Sequence, residues 1–422
     1  MAIAIDRNSK FDPKAPLGGR PDLSRKLTDA PLALLLYALL FLMSGVVASL
    51  NDILNPFLKQ LFELSYREAA LVHFCFYVSP VLLAMPAAVF TERIGYRWAT
   101  AFALGVVALG GALMGPAAAL SSFGFFLVTV LVISSGNALF GVGANPYVSG
   151  LGPEGTASSR LNLTHGAYAV GTTLGPMLGS WFVREDSLDQ ATTIRTPYFL
   201  IGGLFLLMAL LLLRYRLPEP REAESPTAAV TGCWWAHRPL LWGFVTIFFY
   251  VGAEVATSSL IVKYLEQPAV AGLSTRQAGF FVSVYWGGLM LGRFVGVWSM
   301  QRFRSEQVLG VHALMGLISV IPVIVGRGAP AMWGLLSLGL WHSIMFPAIF
   351  GLALRGLGRH TRRASGFLIM AVVGGALLPV VQGAVADLAG LPSSFYLTVL
   401  CYLVVVSFAF WGHRPPAHGA KG

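Results

Sequence analysis

Residues 31–58 read PLALLLYALLFLMSGVVASLNDILNPFL. The first twenty of these positions carry no charge, and Asp52 is the only charged residue in the stretch. A helix of about 20 apolar residues is long enough to cross the hydrocarbon core of a bilayer. The stretch therefore predicts a membrane-spanning helix with a carboxyl group inside it. Residues 1–30 ahead of it are polar and lack the apolar run of a cleavable signal, so the helix is read as a permanent span.

The rest of the chain extends this reading. Of 422 residues, 56% are hydrophobic and 11% are charged. That apolar content fills roughly a dozen spans, and the charge is far below that of soluble domains. A soluble fold and a disordered chain are both excluded. Twelve spans are predicted, near 31–58, 67–90, 98–118, 122–148, 162–183, 196–216, 239–264, 276–300, 307–326, 330–354, 364–387 and 393–412. The fold class is an all-α integral membrane protein of two pseudo-symmetric six-helix halves. Its parts are an N-terminal tail (1–30), a first half (31–216), a Pro- and Glu-rich linker (217–238), a second half (239–412) and a C-terminal tail (413–422).

Two patterns support that division. With the N-terminus placed in the cytoplasm, 22 of the 29 Lys and Arg residues fall on the cytoplasmic side. Such a bias fits an even number of spans with both termini inside, and it explains the net charge of +10 without nucleic acid as a partner. The halves also echo each other. Arg67 opens the second span as Arg276 opens the eighth, Pro146 pairs with Pro347, and Pro176 pairs with Pro379, all at offsets near 200 residues. Parallel repeats of this kind place a binding site between the halves near the bilayer midplane.

An ionisable group inside a span costs at least about 2.5–3.5 kcal/mol and so tends to have a task. Of 19 acidic residues, two fall well inside spans: Asp52 in the first and Glu254 in the seventh. They lie 202 positions apart, the repeat distance, and are candidate proton-coupling groups in equivalent places. Candidate substrate-binding neighbours follow from spacing. Asn51 and Asn55 flank Asp52, and Asn145 and Tyr147 flank Pro146. Asn162, His165 and Tyr168 form a stripe spaced by three along one helix face. Tyr250 and Ser258 lie one turn either side of Glu254, and Tyr285, Trp286, Trp341, His342 and Gln382 complete the set. Amide and carboxylate groups beside aromatic faces suit a sugar, which offers hydroxyls and an apolar C–H side. Gly171, Gly175 and Gly179, spaced by four, read as a seam of close helix contact.

Other chemistry finds no support. No Gly-Lys pair occurs, so a phosphate-binding loop is absent. No metal-ligand spacing or nucleophile–base motif is present, and Cys75, Cys233 and Cys401 lie too far apart in sequence for a disulfide framework. The expectation is a non-enzyme without metal or cofactor.

Thr91-Glu-Arg-Ile-Gly-Tyr-Arg97 resembles the loop signature of the major facilitator superfamily. Asn51-Asp-Ile-Leu-Asn-Pro56, Ala144-Asn-Pro-Tyr147, Leu151-Gly-Pro-Glu154, Ser159-Arg-Leu-Asn-Leu-Thr164, Gly171-Thr-Thr173, Tyr250-Val-Gly-Ala-Glu254 and Gly292-Arg-Phe294 resemble its fucose–galactose–glucose:proton symporter family, closer to the glucose/galactose branch. The resemblance implies inward sugar transport coupled to a proton by alternating access, with Asp52 in the place of the family's essential aspartate. It implies a bacterial inner-membrane location, a monomer, and lipid and a small sugar as partners. Glu92, Arg93, Arg97, Arg302 and Arg304 are expected to form the cytoplasmic gate. The chain departs from the family pattern at Gly141, where the fucose branch has Glu, at His165 and Tyr168, and at His73. Those departures leave the sugar open. An exporter of drugs or other small solutes in the same fold is the alternative.

Overall fold

The computed structural model describes residues 31–49, 66–120, 122–182, 190–215, 218 and 237–414. Backbone amides in a bilayer have no water to bond, so each crossing must satisfy its own ladder. The described residues accordingly form helices and no strand. They make twelve helical segments. The first is α1, Pro31–Ser49. Tyr66–Ala119 is one run broken at Gly95, which separates α2 from α3. Next come α4 (Phe123–Gly150), α5 (Ala157–Phe182) and α6 (Gln190–Arg214). The second half contains α7 (Arg238–Leu265), α8 (Thr275–Arg302), α9 (Ser305–Val325), α10 (Gly328–Leu354), α11 (Thr361–Ala389) and α12 (Leu391–Gly412).

Local chemistry sets the ends. Ser274 and Gln277 form a reciprocal capping box at the start of α8. Pro239 sits in the first turn of α7, where its missing N–H costs nothing. Gly326 ends α9 in the left-handed region. Gly95 has φ +83° and breaks the long run between α2 and α3. The loop expected at 91–97 is therefore helix on both sides of one glycine.

A second difference lies in α10, expected as one continuous helix. It breaks between His342 and Met345. Pro347 is the cause: its ring cannot bond to the carbonyl of Ser343, four residues earlier, and crowds it. Side chains satisfy neighbouring carbonyls instead. Ser343 Oγ donates to Leu340 O at 2.6 Å, and Tyr250 Oη donates to His342 O at 3.1 Å.

Apolar stripes face the lipid. Val311, Ile318 and Val325 on α9 are exposed at a spacing of seven, as are Leu200 and Leu207 on α6. Small residues face inward. A β-carbon at Gly45 would collide with Tyr168 O, one at Gly171 with Leu42 O, and one at Gly175 with Ser49 Oγ. The glycine seam thus lets α1 and α5 touch backbone to backbone. Gly171→Val is expected to destabilise the fold by about 3 kcal/mol, because backbone cannot move aside. Thermal unfolding in detergent, followed by loss of the monodisperse size-exclusion peak, measures this.

Candidate functional site

The described contacts between the halves cluster toward the arginine-rich face, at the end of α2 and the start of α11. On α2, Glu92 Oε2 accepts from Arg363 Nε of α11 at 2.7 Å. Arg362 Nη1 donates to Glu92 O at 3.2 Å, and its guanidinium lies 4.6 Å above the Tyr96 ring. Glu154 Oε1 accepts from Gly356 N at 3.2 Å. Nearer mid-depth, Ser159 Oγ donates to Val297 O, Ser365 Oγ to Val142 O, and Asn162 Nδ2 to Arg293 O at 2.5 Å. Toward the opposite face fewer cross-half contacts join the described residues. Thr173 reaches Met290 Sδ only at 4.0 Å, and Leu174 and Trp286 are exposed. The halves are closed on one side.

Directly on this closure sits a floor of buried polar groups from both halves. In the first half, Asn145 Nδ2 donates to Gly141 O at 2.8 Å, and Asn145 Oδ1 meets His165 Nε2 at 3.0 Å. That contact requires a proton on Nε2, so the imidazole donates there. Its ring lies between Phe41 of α1 and Phe346 of α10, with centroids 5.0 and 5.1 Å away. His165 therefore touches both halves.

In the second half, Tyr250 and Glu254 lie one turn apart on α7. Behind them is a tyrosine cradle. The buried His342 ring has Tyr285 Oη at 2.8 Å from Nδ1 and Tyr402 Oη at 2.8 Å from Nε2. A neutral imidazole donates through one nitrogen and accepts through the other, so one phenol gives and the other receives. The cradle joins α7, α8, α10 and α12 at one point.

The predicted residues sort by geometry. Asn145, Asn162, His165, Tyr250, Glu254, Tyr285 and His342 come together around the floor. Tyr168 is half-buried against the core. Ser258 bonds within its own helix to Val255 O. Tyr147 points away: it stacks on Tyr37 at 4.4 Å and donates to Pro218 O at the linker. Trp341 donates to Ser319 Oγ inside the second half, and Gln382 to Ser394 Oγ near the start of α12. Trp286 lies edge-on to Tyr285. Asn51, Asp52 and Asn55 lie outside the described residues, as does the side chain of His73.

Of the expected gate, Glu92 makes the cross-half ion pair. Arg97 instead caps α6 through the Leu212 and Leu213 carbonyls, where a cation suits the helix C-terminus. Arg302 lies over Trp298 of its own helix, and Arg93 and Arg304 are exposed, with no described contact across the halves. The cationic side of the latch is Arg362 and Arg363, which the sequence reading passed over. It also passed over Tyr402, Phe41 and Arg293 as site residues. Arginines opening the eleventh span, with a loop acid about 270 residues earlier, were the available signal.

Twelve helices in two halves, latched on one side of a buried polar floor, define a membrane transporter of the two-half class. The chain belongs to the Major Facilitator Superfamily, whose family model matches residues 35–372. It is 38% identical over 388 residues to the glucose/galactose transporter of Brucella abortus biovar 1 (strain 9-941), covering 90% of this chain and 94% of that one. It is 30% identical over 410 residues to the L-fucose-proton symporter of Escherichia coli (strain K12), covering 90% and 92%. The crystal structure of the Escherichia coli fucose:proton symporter superposes with a TM-score of 0.82 at 27% identity, over 90% of this chain and 98% of that one. A structure of that transporter described as outward matches with the same score at 28% identity.

Proposed function

We propose that this chain is a proton-coupled symporter that imports a monosaccharide or a related sugar by alternating access. The observation that carries the reading is the floor itself. His165, bonded to Asn145 in one half, packs on Phe346 of the other, and Asn162 bonds to the Arg293 backbone, so a sugar between the halves would find amide, imidazole and guanidinium partners, with the Tyr250 phenol and Glu254 carboxyl a turn apart on α7. The relatives named for glucose, galactose and fucose supply the substrate class.

The arginine-rich face is cytoplasmic on the charge bias, with both termini inside a bacterial inner membrane. The latched state then opens outward. A sugar and a proton enter from outside, Asp52 and Glu254 carry the proton, and rocking of the halves releases both inward. No cofactor takes part beyond the proton, and the transporter works as a monomer among lipids. Asn162, His165, Tyr168, Tyr250, Tyr285 and Trp286 serve the sugar, and the spacing of Asn51 and Asn55 to Asp52 assigns them the same role.

The test is uptake of labelled D-glucose, D-galactose and L-fucose into proteoliposomes, with and without an inward proton gradient. Accumulation of one sugar above the bath only when the gradient is present is the expected result. Equal uptake under both conditions, or uptake of no sugar, would overturn the reading.

The latch carries its own prediction. The Glu92–Arg363 pair is partly exposed, so it contributes about 0.2–1 kcal/mol. Glu92→Gln should therefore raise the inward-open fraction about 1.4- to fivefold. The measurement is labelling of a Ser159→Cys chain, with Cys75, Cys233 and Cys401 changed to serine, by an impermeant thiol reagent on the cytoplasmic side.

A further inference from the structure

Arg293 is the only Lys or Arg among the described residues whose side chain is buried, at 6% exposure. It sits on α8 at the floor between the halves. Its backbone carbonyl accepts from Asn162 of α5, and its β-carbon lies 3.7 Å from where a side chain at Gly166 would begin. Its Nε and Nη1 donors have no hydrogen-bond partner among the described residues. A buried guanidinium left without acceptors costs several kcal/mol, so such groups are normally paired. Glu254, Tyr250 and His165 are close enough for its charge to act on them, yet no ion pair joins it to Glu254.

Tyr250, one turn before Glu254 on α7, has one hydroxyl proton, and it points to the His342 carbonyl at 3.1 Å. A Glu254 carboxylate needs donors, and the Nε and Nη1 groups of Arg293 are the idle ones in its neighbourhood. The other ionisable groups facing Glu254 are Tyr285 on α8 and Tyr402 on α12, both tied to His342 of α10. Against α7, α11 presents Gly374 and Leu378.

We propose that Arg293 is a substrate-binding residue shared with Glu254. Its Nε and Nη1 donate to a sugar oxygen while Glu254 is protonated, and they turn to the carboxylate when the proton leaves. The inference rests on the symport reading and adds to it the residue through which sugar and proton compete. Proton and sugar then favour each other's binding by the same factor, because either state of Glu254 sets the availability of one guanidinium.

Two measurements on detergent-purified full-length protein test this. The first is equilibrium binding of D-glucose, D-galactose and L-fucose between about pH 5.5 and about pH 8.5, a range that spans the titration of buried carboxyls. In the unaltered chain, affinity should rise about tenfold on acidification. Glu254→Gln should remove the part of that rise that Glu254 carries and leave the part that Asp52 carries. Arg293→Gln should weaken binding about tenfold at acid pH and remove the Glu254-dependent rise. Arg293→Lys should restore part of both. The second needs no sugar. The infrared carbonyl band of protonated Glu254, identified by its loss in Glu254→Gln, should titrate at a different pH in Arg293→Gln. A purely structural role for Arg293 would lower the yield without moving that titration. An unmoved band, or an unchanged pH dependence of binding in Arg293→Gln, would overturn the proposal. If the unaltered chain binds no sugar, the symport reading fails, and the infrared measurement still decides the exchange between Arg293 and Glu254.

Discussion

Asp52→Asn is expected to abolish sugar accumulation while leaving sugar exchange across the membrane intact. Asparagine has nearly the shape of a protonated aspartate and carries no charge. It should therefore hold the protonated-like state that binds sugar and still let the halves rock. What it cannot do is lose a proton on the inside. One charge moved inward gains about 2.3 kcal/mol per 100 mV, which corresponds to roughly a fiftyfold concentration ratio. In proteoliposomes under such a potential, the internal-to-external ratio should fall from that order to about one. Exchange of internal unlabelled for external labelled sugar separates loss of coupling from loss of protein. Full uphill uptake by Asp52→Asn would remove Asp52 from the coupling and leave Glu254 as the acid to examine.

The fold was largely legible because the bilayer leaves few options. A run of twenty uncharged residues has to be a helix, and the arginine count fixes the parity of the spans. The misses were local. Gly95 replaces a loop by a single left-handed residue, and Pro347 breaks α10 at a place where hydropathy is unbroken. The site was legible where a charge stood out in an apolar run, as at Glu254. It was less so where neighbours were grouped by proximity along the chain. Asn145 and Tyr147 flank one proline, but two residues turn a helix by about 200°. One therefore meets His165 and the other meets the linker. Trp341 and His342 divide in the same way, toward Ser319 and toward the tyrosines. The burial of Arg293 is decided by α5 packing across the halves, which spacing along the chain does not yield. Pairing between Glu92 and Arg363 is tertiary, and arginine counting alone does not yield it.

His342→Ala is expected to cost more stability than any other single change in the second half discussed above. The ring is fully buried and stacks on Tyr402, with centroids 5.6 Å apart. Truncation removes two hydrogen bonds to phenols at 2.8 Å. It also leaves a cavity where α7, α8, α10 and α12 converge. Each phenol stranded in the interior costs about 1–3 kcal/mol, and an aromatic-sized void costs about 3–5 kcal/mol. The two overlap, since a cavity that admits water spares the phenols, so a loss of about 4 kcal/mol is expected. His342→Gln is the informative companion. Its amide offers one donor and one acceptor, as the neutral imidazole does, and should recover about half of the loss. Thermal unfolding of the purified protein measures both. The backbone at this point makes the test specific to the cradle. The His342 carbonyl still accepts from Tyr250 in either variant, so the break in α10 keeps its support and the side chain alone is varied. Alanine and glutamine of equal stability would mean that the phenols find other partners, and that the cradle fills space rather than joining four helices through hydrogen bonds.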